Sequence, residues 1–163
     1  MTTLAAGGMA EHIEMLIAKQ LASTVPQRQA AALTTLCKTL KGAELAQHAG
    51  AMLKILEVDE VGGYLVYLVG EVALEKLGPP LAAHIDKLVA LIDHADMGRR
   101  LTALKVLAKC EGFALRDHKE PIAKCLDDSD DSIVAAAFSA MAAFEPAELE
   151  PFRNRILEAR HAL

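Results

Sequence analysis

The chain has 163 residues, a formal net charge of −5 and a pI near 5.7. That balance weighs against nucleic acid as the main partner, because phosphate binding needs clustered positive charge. Hydrophobic residues reach 53% with only 4% aromatic and no Trp, a composition suited to close-packed helices, and the mean hydropathy of +0.25 calls for repeated stacking or a partner to bury it.

The N-terminal MTTLAAGGMAEH lacks the basic start of a signal peptide, and no Arg-rich transit segment shows. The three cysteines, Cys37, Cys110 and Cys125, have no CxxC spacing and suggest buried thiols in an intracellular protein. The cytoplasm is the expected compartment, or an organelle if a targeting segment has been removed. Apolar periodicity predicts a first helix over 9–22, and Pro26 opens a second over 26–39. Helices follow over 43–57 and 60–77. The latter holds the most apolar run, VGGYLVYLVGEVAL, which Glu71 interrupts and which is too short to span a membrane. Gly78, Pro79 and Pro80 end it and open a helix over 80–93. Asp96 is placed to cap a helix over 96–111, and Asp130 one over 130–143. Between them, Asp117 and Glu120 form a D-x-x-E capping box before Pro121 and predict a helix over 117–126. A closing helix covers 147–161.

These elements repeat. His12, His48, His84 and His118 are separated by 36, 36 and 34 residues. Met9, Leu45, Leu81, Leu115 and Leu149 fall in one column of the same register, and Leu16, Met52, Leu88, Ile122 and Ile156 in another. Such a period is the signature of a helical repeat array. Four helical hairpins plus a closing helix result, all-α, over a single domain spanning 1–163.

The stretch LIDHADMGRRLTALKVL resembles the core pattern of HEAT repeats, close kin of armadillo repeats. Asp93, Asp96, Arg100, Ala103 and Leu104 match, while Arg99 stands where that pattern has Val. CLDDSDDSIVAAAFSAM keeps Asp127, Asp130, Ile133 and Ala137, with Val134 in the Arg position. The second unit departs further, with Tyr64 there. The Trp/Leu-Gly/Tyr pattern of tetratricopeptide repeats is absent. The resemblance implies a right-handed superhelical α-solenoid, with first helices on the convex face and second helices on the concave face. It also implies a binding scaffold rather than an enzyme, by analogy of fold.

Residue chemistry adds little catalysis. Equivalent residues in adjacent repeats sit on the order of 10 Å apart, so the histidines cannot share one metal ion and instead mark a register. No phosphate loop or EF-hand spacing occurs among the glycines or around Asp127, Asp128, Asp130 and Asp131. No metal or cofactor is called for. The third and fourth units are locally basic, which is ordinarily a solvated face and alternatively a dock for an acidic partner.

Thr102, Lys105 and Lys109 are expected to face outward from the third unit, and Ala31, Thr34 and Lys38 from the first. Val66, Val69 and Ala73 fall at those positions in the second unit, beside Tyr64 and Tyr67. A helix apolar on nearly every side calls for cover, from the fold or from a partner. The expected partner surface is therefore Tyr64, Val66, Tyr67, Val69 and Ala73 with Arg99, Lys105 and Lys109. The leading expectation is a non-catalytic adaptor or a subunit of a larger assembly, binding protein through the concave face. The alternative is a HEAT-like enzyme or chaperone of the pigment-lyase type, with Tyr64, Tyr67, Arg99 and Arg100 as its pocket. A nucleic-acid binder comes third.

Overall fold

The computed structural model describes residues 15–40, 42–57, 69, 74–77 and 79–162. Among the described residues every regular element is helical and none is a strand. The chain runs through α1 (15–21), α2 (Pro26–Thr39), α3 (Gly42–Ala46) and α4 (Ala49–Glu57). After a 3₁₀ turn at Leu74–Lys76 come α5 (Ile85–Leu91), α6 (Met97–Leu107), α7 (Lys119–Lys124) and α8 (Asp131–Met141). The last two are α9 (Pro146–Leu149) and α10 (Arg153–Ala162). Most of the helix expected over 60–77 lies outside the described residues.

The two apolar columns form the spine of the stack. Leu45, Leu81 and Leu115 are buried, as are Met52, Leu88 and Ile122. Burying each such side chain contributes about 2 kcal/mol, and in a repeat stack that gain comes from the neighbouring unit. Leu149 and Ile156 are partly buried against the same core. Leu16 departs from its column and is 47% exposed, while Met9 and His12 lie outside the described residues.

The first elements of the second, third and fourth units are broken rather than continuous, which the periodicity did not predict. A 3₁₀ segment Pro79–His84 precedes α5, and another, Gly112–His118, precedes α7. His84 (φ −124°, ψ 9°) and His118 (φ −113°, ψ 12°) adopt nearly the same bridge-region backbone at the junction. His48 falls between α3 and α4, and Phe152 takes the position before α10. His48, His84 and His118 of the histidine column therefore mark a bend. His118 also reaches back one unit, its Nε2 lying 3.2 Å from Asp86 Oδ1. The capping box expected at Asp117 and Glu120 does not form, because the chain is already 3₁₀ from Gly112 and His118 holds the cap position without a side-chain bond. Part of such a box occurs instead at α9, where the Glu145 N–H donates to Glu148 Oε2 at 3.3 Å.

The second helices begin as expected. Asp96 Oδ1 accepts from the Arg99 N–H at 2.9 Å, and Asp130 Oδ1 from the Ser132 N–H at 2.9 Å. Pro26 sits in the first turn of α2, where its missing N–H costs nothing. Each of these helices buries the same quartet: Ala32, Leu33, Leu36 and Cys37; Thr102, Ala103, Val106 and Leu107; Ala136, Ala137, Ala140 and Met141.

A ladder of ion pairs joins successive first elements along their edge. Glu57 meets Lys87 at 3.9 Å, Asp93 meets Lys124 at 3.2 Å, and Asp127 meets Arg155 at 3.1 Å. The three acids stand nine residues after His48, His84 and His118. Further along, Glu148 takes both Lys119 (3.0 Å) and Arg116 (3.3 Å). The Lys119 hydrogen bond, then the Glu145 N–H, hold its carboxyl below the usual range.

Candidate functional site

The buried quartets fix which side of each second helix faces away from the core. That outward stripe is Arg28, Ala31, Thr35 and Lys38 on α2; Gly98, Leu101, Lys105 and Ala108 on and just after α6; and Ser132, Ala135, Ser139 and Ala142 on and just after α8. α6 packs most extensively against α8, and between them the stripe opens into a cleft of about 630 Å³. From the α6 side it is lined by Leu101, Lys105, Ala108 and Lys109, and from the α8 side by Ser132, Ala135, Ala136 and Ser139. The α8 wall is low because none of its side chains extends past one heavy atom beyond Cβ. The Ser139 hydroxyl donates to the Ala135 carbonyl at 2.9 Å, which leaves its oxygen lone pairs toward the cleft as acceptors.

Charge is segregated between the two layers. The helices α2, α6 and α8 (PQRQAAALTTLCKT, MGRRLTALKVL and DSIVAAAFSAM) contain one acidic residue, Asp131, at the first position of α8. By register it stands at the opposite end of the cleft from Lys109. The first elements and their turns carry the acids, among them Glu57, Asp86, Asp93, Glu120, Asp127 and Glu148. A chain of net charge −5 thus shows a neutral-to-basic face on these three described helices.

Of the residues expected to bind a partner, Lys105 and Lys109 line this cleft. Two are corrected. Arg99 is buried at 2% exposure, in the register position of Ile133, so it is part of the interior. Its Nη1 lies 2.9 Å from His94 Nε2. Val69 is fully buried as well. The second helices advance 70 residues from Ala32 to Thr102, and an even share of 35 aligns Val69 with buried Leu104 rather than with Lys105. Thr102 is likewise buried, and Leu101 takes the outward place. Tyr64, Val66, Tyr67 and Ala73 lie outside the described residues, so the structure does not describe the Tyr64, Tyr67, Arg99 and Arg100 cluster as a pocket.

Leu101, Ala108, Ser132, Ala135 and Ser139 were missed. The signal was present in the run of small residues at three- and four-residue spacing along α8. A second cleft, about 610 Å³, lies at the other edge against Ala22, Gln29, Ala51 and Lys54, with Lys87, which already pairs with Glu57.

Chemically the main cleft offers cations, hydroxyls and apolar floor. Burial raises the Cys37 and Cys110 thiols above their ordinary range and, with Asp93 and Asp128 nearby, Cys125 to about 11. All three are thiols near neutral pH. Among the described residues no three His, Cys, Asp or Glu side chains are grouped so that they could hold a metal ion, and no helix is long and apolar enough to cross a membrane.

Stacked helical units with repeated capping and repeated buried quartets define an all-α solenoid of the armadillo/HEAT type. Two solved structures share it, both designed armadillo repeat proteins. YIII(Dq.V1)4CPAF, in complex with the peptide (KR)4, aligns with a TM-score of 0.57 and 17% identity over 88% of this chain and 69% of that one. YIII(Dq)4CqI aligns with a TM-score of 0.51 and 19% identity over the same shares. No family model matches the sequence, and no curated protein matches it.

Proposed function

We propose that the protein is a non-catalytic adaptor that holds an extended segment of a partner protein in the cleft between α6 and α8. The observation that carries this is the cleft itself: about 630 Å³, apolar at its base, with hydrogen-bonding groups and lysines on its walls. An extended segment suits it better than a helix. Packed helix axes lie about 8–10 Å apart, so the furrow between them is narrower than a helix with side chains, roughly 10–12 Å across. One designed neighbour was solved with a peptide bound, which supports the fold's capacity for this work. In this reading residues 1–163 act as one repeat domain and serve as a subunit of a larger assembly.

The test is selection of binders from a phage-displayed random dodecapeptide library, followed by calorimetry on an Ala135→Trp variant. Ala135 is exposed on the cleft wall, so the indole should block the cleft while leaving the melting temperature unchanged. Selected peptides should lose at least about tenfold in affinity for the variant. Peptides that bind Ala135→Trp as well as the parent would place binding elsewhere and overturn the proposal.

A further inference from the structure

Resting on the adaptor reading above, we infer that the segment the cleft takes is acidic, with carboxylates at alternate positions of an extended chain. Three observations converge on this sign and spacing. The three described second helices, α2, α6 and α8, are nearly free of acid, with Asp131 alone at one end of α8, while carboxylates crowd the described first elements. Lys105 and Lys109 both face the cleft from α6 and its C-terminal turn. Lys109 is exposed, and no carboxylate lies within ion-pairing distance of it among the described residues. The two lysines are four residues apart, which along a helix is about 6 Å, and alternate side chains on one face of an extended strand are about 6.8 Å apart. A carboxylate-x-carboxylate run lying lengthwise in the cleft therefore sets one acid beside each lysine. The residue between them turns toward the low α8 wall, where Ala135 accepts only contact and the Ser132 and Ser139 oxygens accept hydrogen bonds from backbone N–H groups.

Several features restrict the occupant to a peptide rather than a free polyanion. The apolar base of Leu101, Ala108 and Ala136 rewards burial of aliphatic chain. The cleft has two lysines and no arginine to fork around a phosphate, and its walls present no aromatic side chain on which a base could stack. A designed neighbour on the same fold was solved with a basic peptide; the lysines here call for the opposite sign.

The experiment titrates the full chain with fluorescein-labelled octapeptides (Glu-Ala)4, (Gln-Ala)4 and (Lys-Ala)4 and a single-stranded oligodeoxynucleotide, read by anisotropy. At about 0.05 M salt (Glu-Ala)4 should bind roughly tenfold or more tightly than (Gln-Ala)4, and raising salt to about 0.5 M should largely remove the difference. Lys109→Glu should leave the melting temperature unchanged, weaken (Glu-Ala)4 about tenfold and bring (Lys-Ala)4 up to measurable binding. Three results would overturn the inference. If (Gln-Ala)4 binds as tightly as (Glu-Ala)4 and both are lost in Ala135→Trp, the cleft stands and its charge preference falls. If the oligonucleotide binds more tightly than (Glu-Ala)4, the ligand class is wrong. If none of the peptides binds, the adaptor reading falls with the inference.

Discussion

The third and fourth units solve one folding problem with different side chains. Their second helices start from equivalent caps, Asp96 and Asp130, and bury equivalent quartets, yet the first turn reads Arg99-Arg100 in one and Ile133-Val134 in the other. Arg99 and Ile133 are both buried. Arg100 donates to the carbonyls of His94 and Ala95 at 3.1 Å each, and its Nε lies 3.5 Å from Asp128 of the next unit. Val134 can do none of this, and the fourth unit is tied onward through Asp127 and Arg155 instead. Backbone register is thus carried by the caps and the apolar quartet, while the polar ties between units vary. The second-helix face is left free to differ from unit to unit.

The comparison breaks most readily in the fourth unit's interior. Ile133→Ala should cost about 3 kcal/mol, since the side chain is fully buried and its neighbours can only partly fill the space. Gly112→Ala should cost about 2 kcal/mol, because a Cβ there meets the Ala143 carbonyl and the backbone must shift. Gly50→Ala is the control: a Cβ at that site meets nothing within 4 Å and should be neutral or stabilise by up to about 1 kcal/mol. Urea denaturation separates the three. Equal losses at Gly50 and Gly112 would mean that close packing at the turn after α8 is not what sets Gly112 apart.

Much of the stack was legible because burial follows period. The columns through Leu45, Leu81 and Leu115 and through Met52, Leu88 and Ile122 could be read from spacing alone, and so could the caps at Asp96 and Asp130. The bend at His84 and His118 could not. The apolar spacing Leu81, Ile85, Leu88 passes through it undisturbed, and a change from 3₁₀ to α geometry leaves no mark in hydrophobicity. The cleft was half legible. Lys105 and Lys109 were placed by the repeat, but shifting the second-helix register by one residue exchanges an outward position for a buried one. That shift explains Thr102 for Leu101 and Val69 for an open site. Arg99 was misplaced for a different reason: a charged residue was assumed to face solvent, and here the repeat register outranks its polarity.

The two caps sharpen the comparison at smaller cost. Asp96→Ala and Asp130→Ala should each lose about 1 kcal/mol, and the two losses should agree within about 0.5 kcal/mol if the caps do the same work in both units. Thermal melts of the two variants read this directly. Asp130 has the larger local role, accepting from the Ser132 N–H at 2.9 Å and from the Ile133 N–H at 3.4 Å, so any difference should run in its direction. A much larger loss at Asp96 would instead show that the arginine-bearing first turn depends on its cap more than the apolar one does.

The smallest effect should come from the ion-pair ladder, and there the two units should differ in a set order. Asp93 and Lys124 join the third unit to the fourth with side chains 68% and 70% exposed. Asp127 and Arg155 join the fourth to α10 with side chains 56% and 34% exposed, and Arg155 also bonds Glu120 at 3.3 Å. Exposed pairs in water are each worth about 0–1 kcal/mol, because Coulomb attraction is screened and ordering two side chains opposes it. A double-mutant cycle through Asp93→Asn and Lys124→Ala should therefore give a coupling below about 0.5 kcal/mol. The cycle through Asp127→Asn and Arg155→Ala should give the larger value, since a planar guanidinium shared by two carboxylates and less open to water holds its geometry at lower entropic cost. Both couplings should shrink at about 0.5 M salt. If the Asp93 and Lys124 coupling proved the stronger, exposure would not be what ranks the steps.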